Sequence, residues 1–330
     1  MAGTSFGSVI CPTMMVSVFD GTVFSTPELR PVAPLDLHPA SHALHYGSAC
    51  FEGLKAHRGQ DGTVRLFRAD RHAQRLAASA DRLCLPSPSP RLLTTMIRDV
   101  VAANRDAVPP SPGALYLRPV LLGTDENIGA AAHPSRTALL YVLASPVGDY
   151  FDSSRTLTVA VETELPRTTP QFGQVKTGAN YAMALGITRR ARERHGADQV
   201  LFAPGGDVQE TGASNFLLID GDRIVTKALD RSFLHGVTRD AILVLAADSG
   251  YEIEERDLTV DEIVTRAPDV EMALSGTAAV LAPVGALVVD GTRVAVGDGS
   301  PGPRTTKLRE ALLAVQRGEA PDRWGWTSVV

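Results

Sequence analysis

Lysine is nearly missing from this chain. Lysine and arginine together number 32, yet only Lys55, Lys176, Lys227 and Lys307 are lysines, so chemistry that needs a side-chain amine has four candidates. Cysteine is as sparse. Cys11, Cys50 and Cys84 form no CxxC pair and no zinc spacing, which excludes a disulfide framework and suits a reducing compartment. The eight histidines are scattered with no HExxH, so no metal site is expected. No apolar run approaches the roughly 20 residues of a membrane span. A net charge of −5 argues against nucleic acid or an anionic membrane as the main partner. Residues 1–20 lack a basic start followed by an apolar block, so no secretory signal is expected and a cytoplasmic location fits.

What is present is the composition of a globular enzyme, 44% hydrophobic and 21% charged. At 330 residues the chain exceeds one comfortable core, which predicts two domains. The first is a small α+β domain over 1–147. A linker covers 148–154, and a larger domain covers 155–330. In the first half, strands are expected at 13–20, 63–67, 114–123 and 137–144. Helices are expected from an Asp70 cap to Pro86 and over 90–104. In the second half, strands are expected at 156–161, 199–203, 251–256, 270–274 and 286–289, with a hairpin of 216–220 and 223–226 across Gly221-Asp222. Helices are expected at about 180–194, 238–249, 260–266 and 302–316.

Four stretches stand apart from scaffolding. In Gln174 to Tyr181, Lys176 stands beside a glycine, an asparagine and a tyrosine. A lysine amine condenses with carbonyl compounds when partly deprotonated, so Lys176 is read as holding an aldehyde cofactor as a Schiff base. A solvated loop lysine is the alternative. In Gln209 to Phe216, Glu210 lies among small residues that let a backbone approach a planar ligand; a solvated loop carboxylate fits as well. Gly236 to Asp240 opens a helix, which suits a phosphate, or else Thr238 is a plain N-cap. Leu274 to Ala279 is either an anion-binding turn or a bland one.

Nine stretches in order carry a resemblance over nearly the whole chain: HYGSACFEGLK (45–55), LFRADRHAQRLAASADRLCLP (66–86), LYLRPVLLG (115–123), SPVGDYF (145–151), KTGANY (176–181), ETGASNF (210–216), GVTRD (236–240), SGTAA (275–279), and GP with RWGW (302–303, 323–326). Together they resemble the fold-type IV pyridoxal-phosphate enzymes, specifically the branched-chain aminotransferase family. The resemblance implies an α/β (α+β) two-domain fold of the D-amino acid aminotransferase-like type. It implies pyridoxal 5′-phosphate as cofactor, with transfer of the amino group of leucine, isoleucine or valine to 2-oxoglutarate. Lys176 matches the catalytic lysine. Glu210 matches the carboxylate on the pyridine nitrogen, which keeps the ring an electron sink. Arg75, Val237, Thr238 and Thr277 match the phosphate contacts, and Tyr181 the contact to the ring oxygen. Thr277 and Ala278, with Tyr116, match the α-carboxylate site. Phe51, Tyr150 and, from a second subunit, Tyr46 and Ile128 match the side-chain pocket, which implies a homodimer. Arg118 matches the residue that admits glutamate's second carboxylate, though a structural arginine at a strand end has the same look. Glu52 and Lys55 read as structural.

The chain departs from the family pattern at four places. Ala179 replaces a glycine after the lysine. His235 replaces a proline and reads as a surface turn residue, with a new polar contact near the phosphate as the alternative. Ala130 replaces a larger aliphatic residue, which leaves room for bulkier donors. Ala279 and Ala282 replace a redox cysteine pair. A specialised biosynthetic transaminase using an aromatic, D- or unusual amino acid is therefore the alternative function. A same-fold lyase acting on aminodeoxychorismate is disfavoured by the terminal RWGW and Arg118, and a non-catalytic relative by Lys176 with Glu210.

Overall fold

The computed structural model describes residues 6–149 and 155–330. These divide into two compact units. One comprises the described chain before the gap together with Val175–Gly178 and Ala314–Val330; the other runs to Gln174 and from Ala179 to Leu313. The expected second domain runs unbroken from 155 to 330, whereas the first unit takes both the lysine stretch and the C-terminal segment. The expected linker lies largely outside the described residues, as does Tyr150.

The first unit is an antiparallel sheet. In chain order its strands are β1 (Thr13–Phe19), β2 (Glu28–Pro31), β3 (Ala49–Phe51), β4 (Leu54–Arg58), β5 (Val64–Phe67), β6 (Ala114–Gly123) and β7 (Ala138–Val147), with a C-terminal strand at Thr327–Val329. The order across the sheet is C-terminal strand, β5, β4, β6, β7, β1, β2, with β3 pairing β6. A short helix, α1 (His42–Tyr46), precedes β3. Two longer helices, α2 (Ala69–Arg82) and α3 (Pro90–Ala103), cover one face. In β6 the side chains alternate strictly: Leu115, Leu117 and Leu121 are fully buried, while Tyr116 and Arg118 are half-buried on the opposite face. The pleat thus divides core from candidate site along a single strand.

The helix expected to be capped by Asp70 takes its cap two residues earlier. Arg68 holds the N-cap position with φ 49°, in the left-handed region, and Asp70 falls in the first turn, where its charge complements the helix dipole. Arg68 adopts this conformation under other constraints: its N–H donates to the Trp326 carbonyl at 2.7 Å, and its guanidinium lies 5.1 Å from the Trp326 ring centre. The helix ends at Arg82 rather than at Pro86. The C-terminal strand has no sequence signature, because its partner β5 lies some 260 residues earlier in the register Thr327–Phe67 and no local pattern encodes such a pairing.

One buried group in this unit carries a stability prediction. His57, opposite Arg65 on the β4–β5 ladder, is 2% exposed, and neither ring nitrogen meets a hydrogen-bond partner among the described residues. Burial, reinforced by the charges of Lys55 and Arg317, pushes its pKa down to about 3. The unfolded chain protonates this imidazole near the ordinary value of about 6.5, so its contribution is complete above that pH and is lost as pH falls from about 6.5 towards 3. His57→Phe is expected to flatten the fall of melting temperature over that interval. A pH–melting curve parallel to that of the wild type would refute this assignment.

The second unit is a mixed sheet of β8 (Leu157–Glu162), β9 (Gln199–Phe202), β10 (Asn215–Asp220), β11 (Arg223–Thr226), β12 (Glu252–Glu255), β13 (Glu271–Gly276), β14 (Val280–Val289) and β15 (Thr292–Ala295). Its order is β12-β11-β10-β13-β14-β8-β9, with β15 on β14. The pairs β11–β12, β14–β8 and β8–β9 are parallel. The expected hairpin is β10–β11, paired through Asp220 and Arg223. Helix α4 (Gly178–His195) follows the lysine stretch; α5 (Val237–Asp248) packs on β12 and β13; α6 (Val260–Arg266) and α7 (Pro303–Arg317) as far as Leu313 complete the unit. Phe216, Leu218, Met272, Leu274 and Leu287 form the centre of its core. Lys227, just beyond β11, is 4% exposed and is held by Asp207 at 2.7 Å, Asp257 at 2.9 Å and Asp230 at 3.6 Å. Burial alone would lower its pKa, but the hydrogen bonds and charges of Asp207 and Asp257 raise it.

Candidate active site

The functional side chains fall into two groups, one on each unit. In the first, Lys176 is fixed through its backbone: its N–H donates to Ser79 Oγ on α2 at 3.1 Å, and its carbonyl accepts from the Phe51 N–H at 3.0 Å. The Lys176 Nζ lies 5.1 Å from the Phe51 ring centre, within cation–π range. Next to Phe51, the side chain of Glu52 is fully buried. Its Oε1 accepts from Arg75 Nε at 2.6 Å, and its Oε2 accepts from Arg75 Nη2 at 2.9 Å, His72 Nδ1 at 2.7 Å and the Gly53 amide at 3.1 Å. His72, Arg75 and Ser79 stand three and four residues apart, so one stripe of α2 serves both Glu52 and the lysine loop. Burial pushes the Glu52 acid upward, but the charges of Arg75 and His72 and their hydrogen bonds outweigh it and hold the acid well below the usual carboxylate range. Burial lowers the pKa of His72 against the pull of Glu52.

Arg118 Nη2 donates to the Tyr116 hydroxyl at 2.8 Å, and its guanidinium lies 4.7 Å from the Phe51 ring centre. A methyl group on Gly53 would come within 2.0 Å of the Tyr116 hydroxyl, which explains the glycine after Glu52. The Tyr46 hydroxyl donates to the Ile128 carbonyl, so these two predicted pocket residues meet within one chain. His42 supports that contact by bonding Ser48 at 2.8 Å and the His133 carbonyl at 3.0 Å.

In the second unit, Glu210 is 3% exposed and paired with Arg167 at 2.6 Å; the Arg167 side chain is also 3% exposed. The Leu234 amide donates to Glu210 Oε1 at 2.9 Å, and Asn215 Nδ2 lies 3.5 Å from Oε2. This is the environment of a structured buried anion, not of a solvated loop carboxylate. The Arg167 guanidinium also lies 6.0 Å from the Tyr181 ring centre, in the first turn of α4. Asn180 serves as a tie: its side chain bonds Thr168 at 2.8 Å and the Phe172 carbonyl at 3.0 Å, fastening the loop that carries Arg167. Sequence reasoning missed Arg167, which lies in a loop outside every motif.

Helix α5 begins without a side-chain cap. Gly236 is the N-cap, and Val237 and Thr238 are its first two residues, so Thr238 is not the capping residue. A side chain at Gly236 would meet Asn215 Oδ1 at 2.1 Å. Thr277 and Ala278 lie in the turn joining β13 to β14, which ends at Val280 with φ 64°. A β-branched residue in the left-handed region is a real conformational cost, of the kind that concentrates at functional sites. His235 bonds the Asp230 carbonyl at 2.7 Å in the turn before α5.

A sequence model described as amino-transferase class IV matches residues 49–287. The chain belongs to the class IV aminotransferases. Branched-chain-amino-acid aminotransferase 2 of Bacillus subtilis is 35% identical over 99% of this chain and 92% of its own length. The chloroplastic branched-chain-amino-acid aminotransferase 5 of Arabidopsis thaliana is 36% identical over 92% of this chain and 73% of its own. Among solved structures, the Escherichia coli branched-chain amino acid aminotransferase superposes with a TM-score of 0.77 at 29% identity, covering 95% of this chain and 98% of that one. A T.th. branched-chain amino acid aminotransferase with pyridoxamine 5′-phosphate gives 0.79 at 27%, covering 95% and 97%. The expected fold is therefore the fold found. Among the described residues of this class IV aminotransferase, no helix is long and apolar enough to cross a membrane, and no cluster suits a metal ion.

Proposed function

We propose that this class IV aminotransferase transfers the amino group of leucine, isoleucine or valine to 2-oxoglutarate, using pyridoxal 5′-phosphate, as a cytoplasmic homodimer. The observation that carries the substrate reading is the match, over nearly the whole chain, to relatives named branched-chain aminotransferases. The donor set fits the cofactor. An amine at Lys176 suits an aldehyde, the guanidinium of Arg75 suits a phosphate, and the buried carboxylate of Glu210 suits a protonated ring nitrogen. When bound, pyridoxal phosphate supplies the electron sink and carries the amino group between the two half-reactions. Lys176 would take the proton from the substrate Cα and deliver it to C4′ of the cofactor. Arg75, Val237, Thr238 and Thr277 hold the phosphate end, and the Tyr181 hydroxyl donates to the ring oxygen. Tyr116, Thr277 and Ala278 take the α-carboxylate. Phe51 and Tyr150, with Tyr46 and Ile128 of the partner subunit, enclose an aliphatic side chain, and Arg118 takes the second carboxylate of glutamate.

Ile128, assigned to the pocket of the partner subunit, is 70% exposed in a single chain, as a residue offered to a second subunit must be. Light scattering is expected to give twice the chain mass. The functional test is a donor panel with 2-oxoglutarate, read as glutamate formed. Turnover with leucine, isoleucine and valine is the expected result; no glutamate from any of them would sink the substrate assignment. Extending the panel to aromatic and D-amino acids tests the alternative that Ala130 favours, a specialised transaminase with a roomier pocket.

A further inference from the structure

Among the described residues the Glu52 carboxylate accepts four hydrogen bonds, two of them from the arginine assigned above to the phosphate of the cofactor. On charge alone this is a poor arrangement. A carboxylate against Arg75 cancels the positive potential that attracts a phosphate, so a site built for attraction would leave it out. What the pair provides is direction. Arg75 uses Nε and Nη2 towards Glu52, which fixes the plane of the guanidinium and turns its Nη1–Nη2 edge away from the carboxylate. His72 and the Gly53 amide hold the carboxylate in turn, so neither member of the pair swings. The residue before Glu52 holds the lysine loop, since the Phe51 amide donates to the Lys176 carbonyl. A single dipeptide therefore ties down both the guanidinium and the backbone of the lysine loop.

We propose that Glu52 is a positioning residue that orients Arg75 for the phosphate monoester of the cofactor, exchanging charge attraction for a fixed guanidinium plane. The proposal rests on the functional reading given above. It predicts that the contribution of Glu52 is confined to ligands that carry the phosphate.

The test is equilibrium binding of pyridoxal 5′-phosphate and of pyridoxal, which lacks the phosphate, to the full-length apoenzyme. Each is followed by visible absorbance and by quenching of Trp324 and Trp326 fluorescence. Glu52→Gln keeps the size and one acceptor oxygen but removes the charge. Glu52→Asp keeps the charge but withdraws the carboxylate by one methylene, and serves if the first variant does not fold. Either variant is expected to lose about tenfold or more in affinity for pyridoxal phosphate, with the affinity for pyridoxal unchanged. Equal losses for both ligands mark a merely structural residue and overturn the proposal. Wild-type affinity for both ligands overturns it too. If the wild type takes up neither ligand, the functional reading falls and this proposal with it, an outcome distinct from a wild type that binds while the variants match it.

Discussion

Lys176→Ala is expected to leave a folded protein that develops no visible absorbance with pyridoxal phosphate and whose turnover falls by about 10⁴-fold. The fold is expected to survive because the bonds that hold this loop come from the backbone. The N–H to Ser79 and the carbonyl to Phe51 persist with any side chain other than proline. The chemistry does not survive, because Lys176 is the amine assigned to both cofactor attachment and proton transfer at the substrate Cα. Two measurements separate these roles. The absorbance reports attachment. Partial recovery of turnover on adding a small primary amine reports proton transfer alone. Turnover within tenfold of the wild type would remove Lys176 from the mechanism.

The second large effect concerns Arg167. Its pair with Glu210 is almost entirely shielded from water, and removing one partner of such a pair strands the other charge. Arg167→Met is expected to cost about 3–5 kcal/mol of stability in the apoprotein. The double variant Arg167→Met with Glu210→Gln is expected to recover much of that loss, because the stranded charge is gone. Denaturant unfolding of the two single variants and the double variant forms the cycle; a loss below about 1 kcal/mol for Arg167→Met would show that the pair is solvated. For turnover the prediction runs the other way. Arg167→Met alone retains the carboxylate at Glu210 and some activity, whereas the double variant has neither the arginine nor the charge and loses more.

Most of the fold was legible because its elements carry local signals. The apolar strand over 114–123, the Gly221-Asp222 turn and the helix over 90–104 are written in neighbouring residues. What was not legible depends on distant partners. The C-terminal strand exists through β5, and the left-handed Arg68 is explained by Trp326. The same division holds for the site. Lys176, Glu210 and Arg75 were singled out through motifs. Arg167 lies in an unmarked loop, and Glu52 read as structural because a carboxylate beside a glycine reveals nothing about its partners. Only the folded chain shows that its donors include the arginine assigned to the phosphate.

The scarcity of lysine acquires a practical meaning once burial is known. Lys227 is locked among three aspartates and held in its protonated form, and Lys55 is 8% exposed. An acylating or fluorescent reagent aimed at amines is thus left with Lys176 and the exposed Lys307 as side-chain targets. Labelling at lysine, mapped by mass spectrometry with and without cofactor, becomes a count of two, and under the proposed function protection of Lys176 measures occupancy.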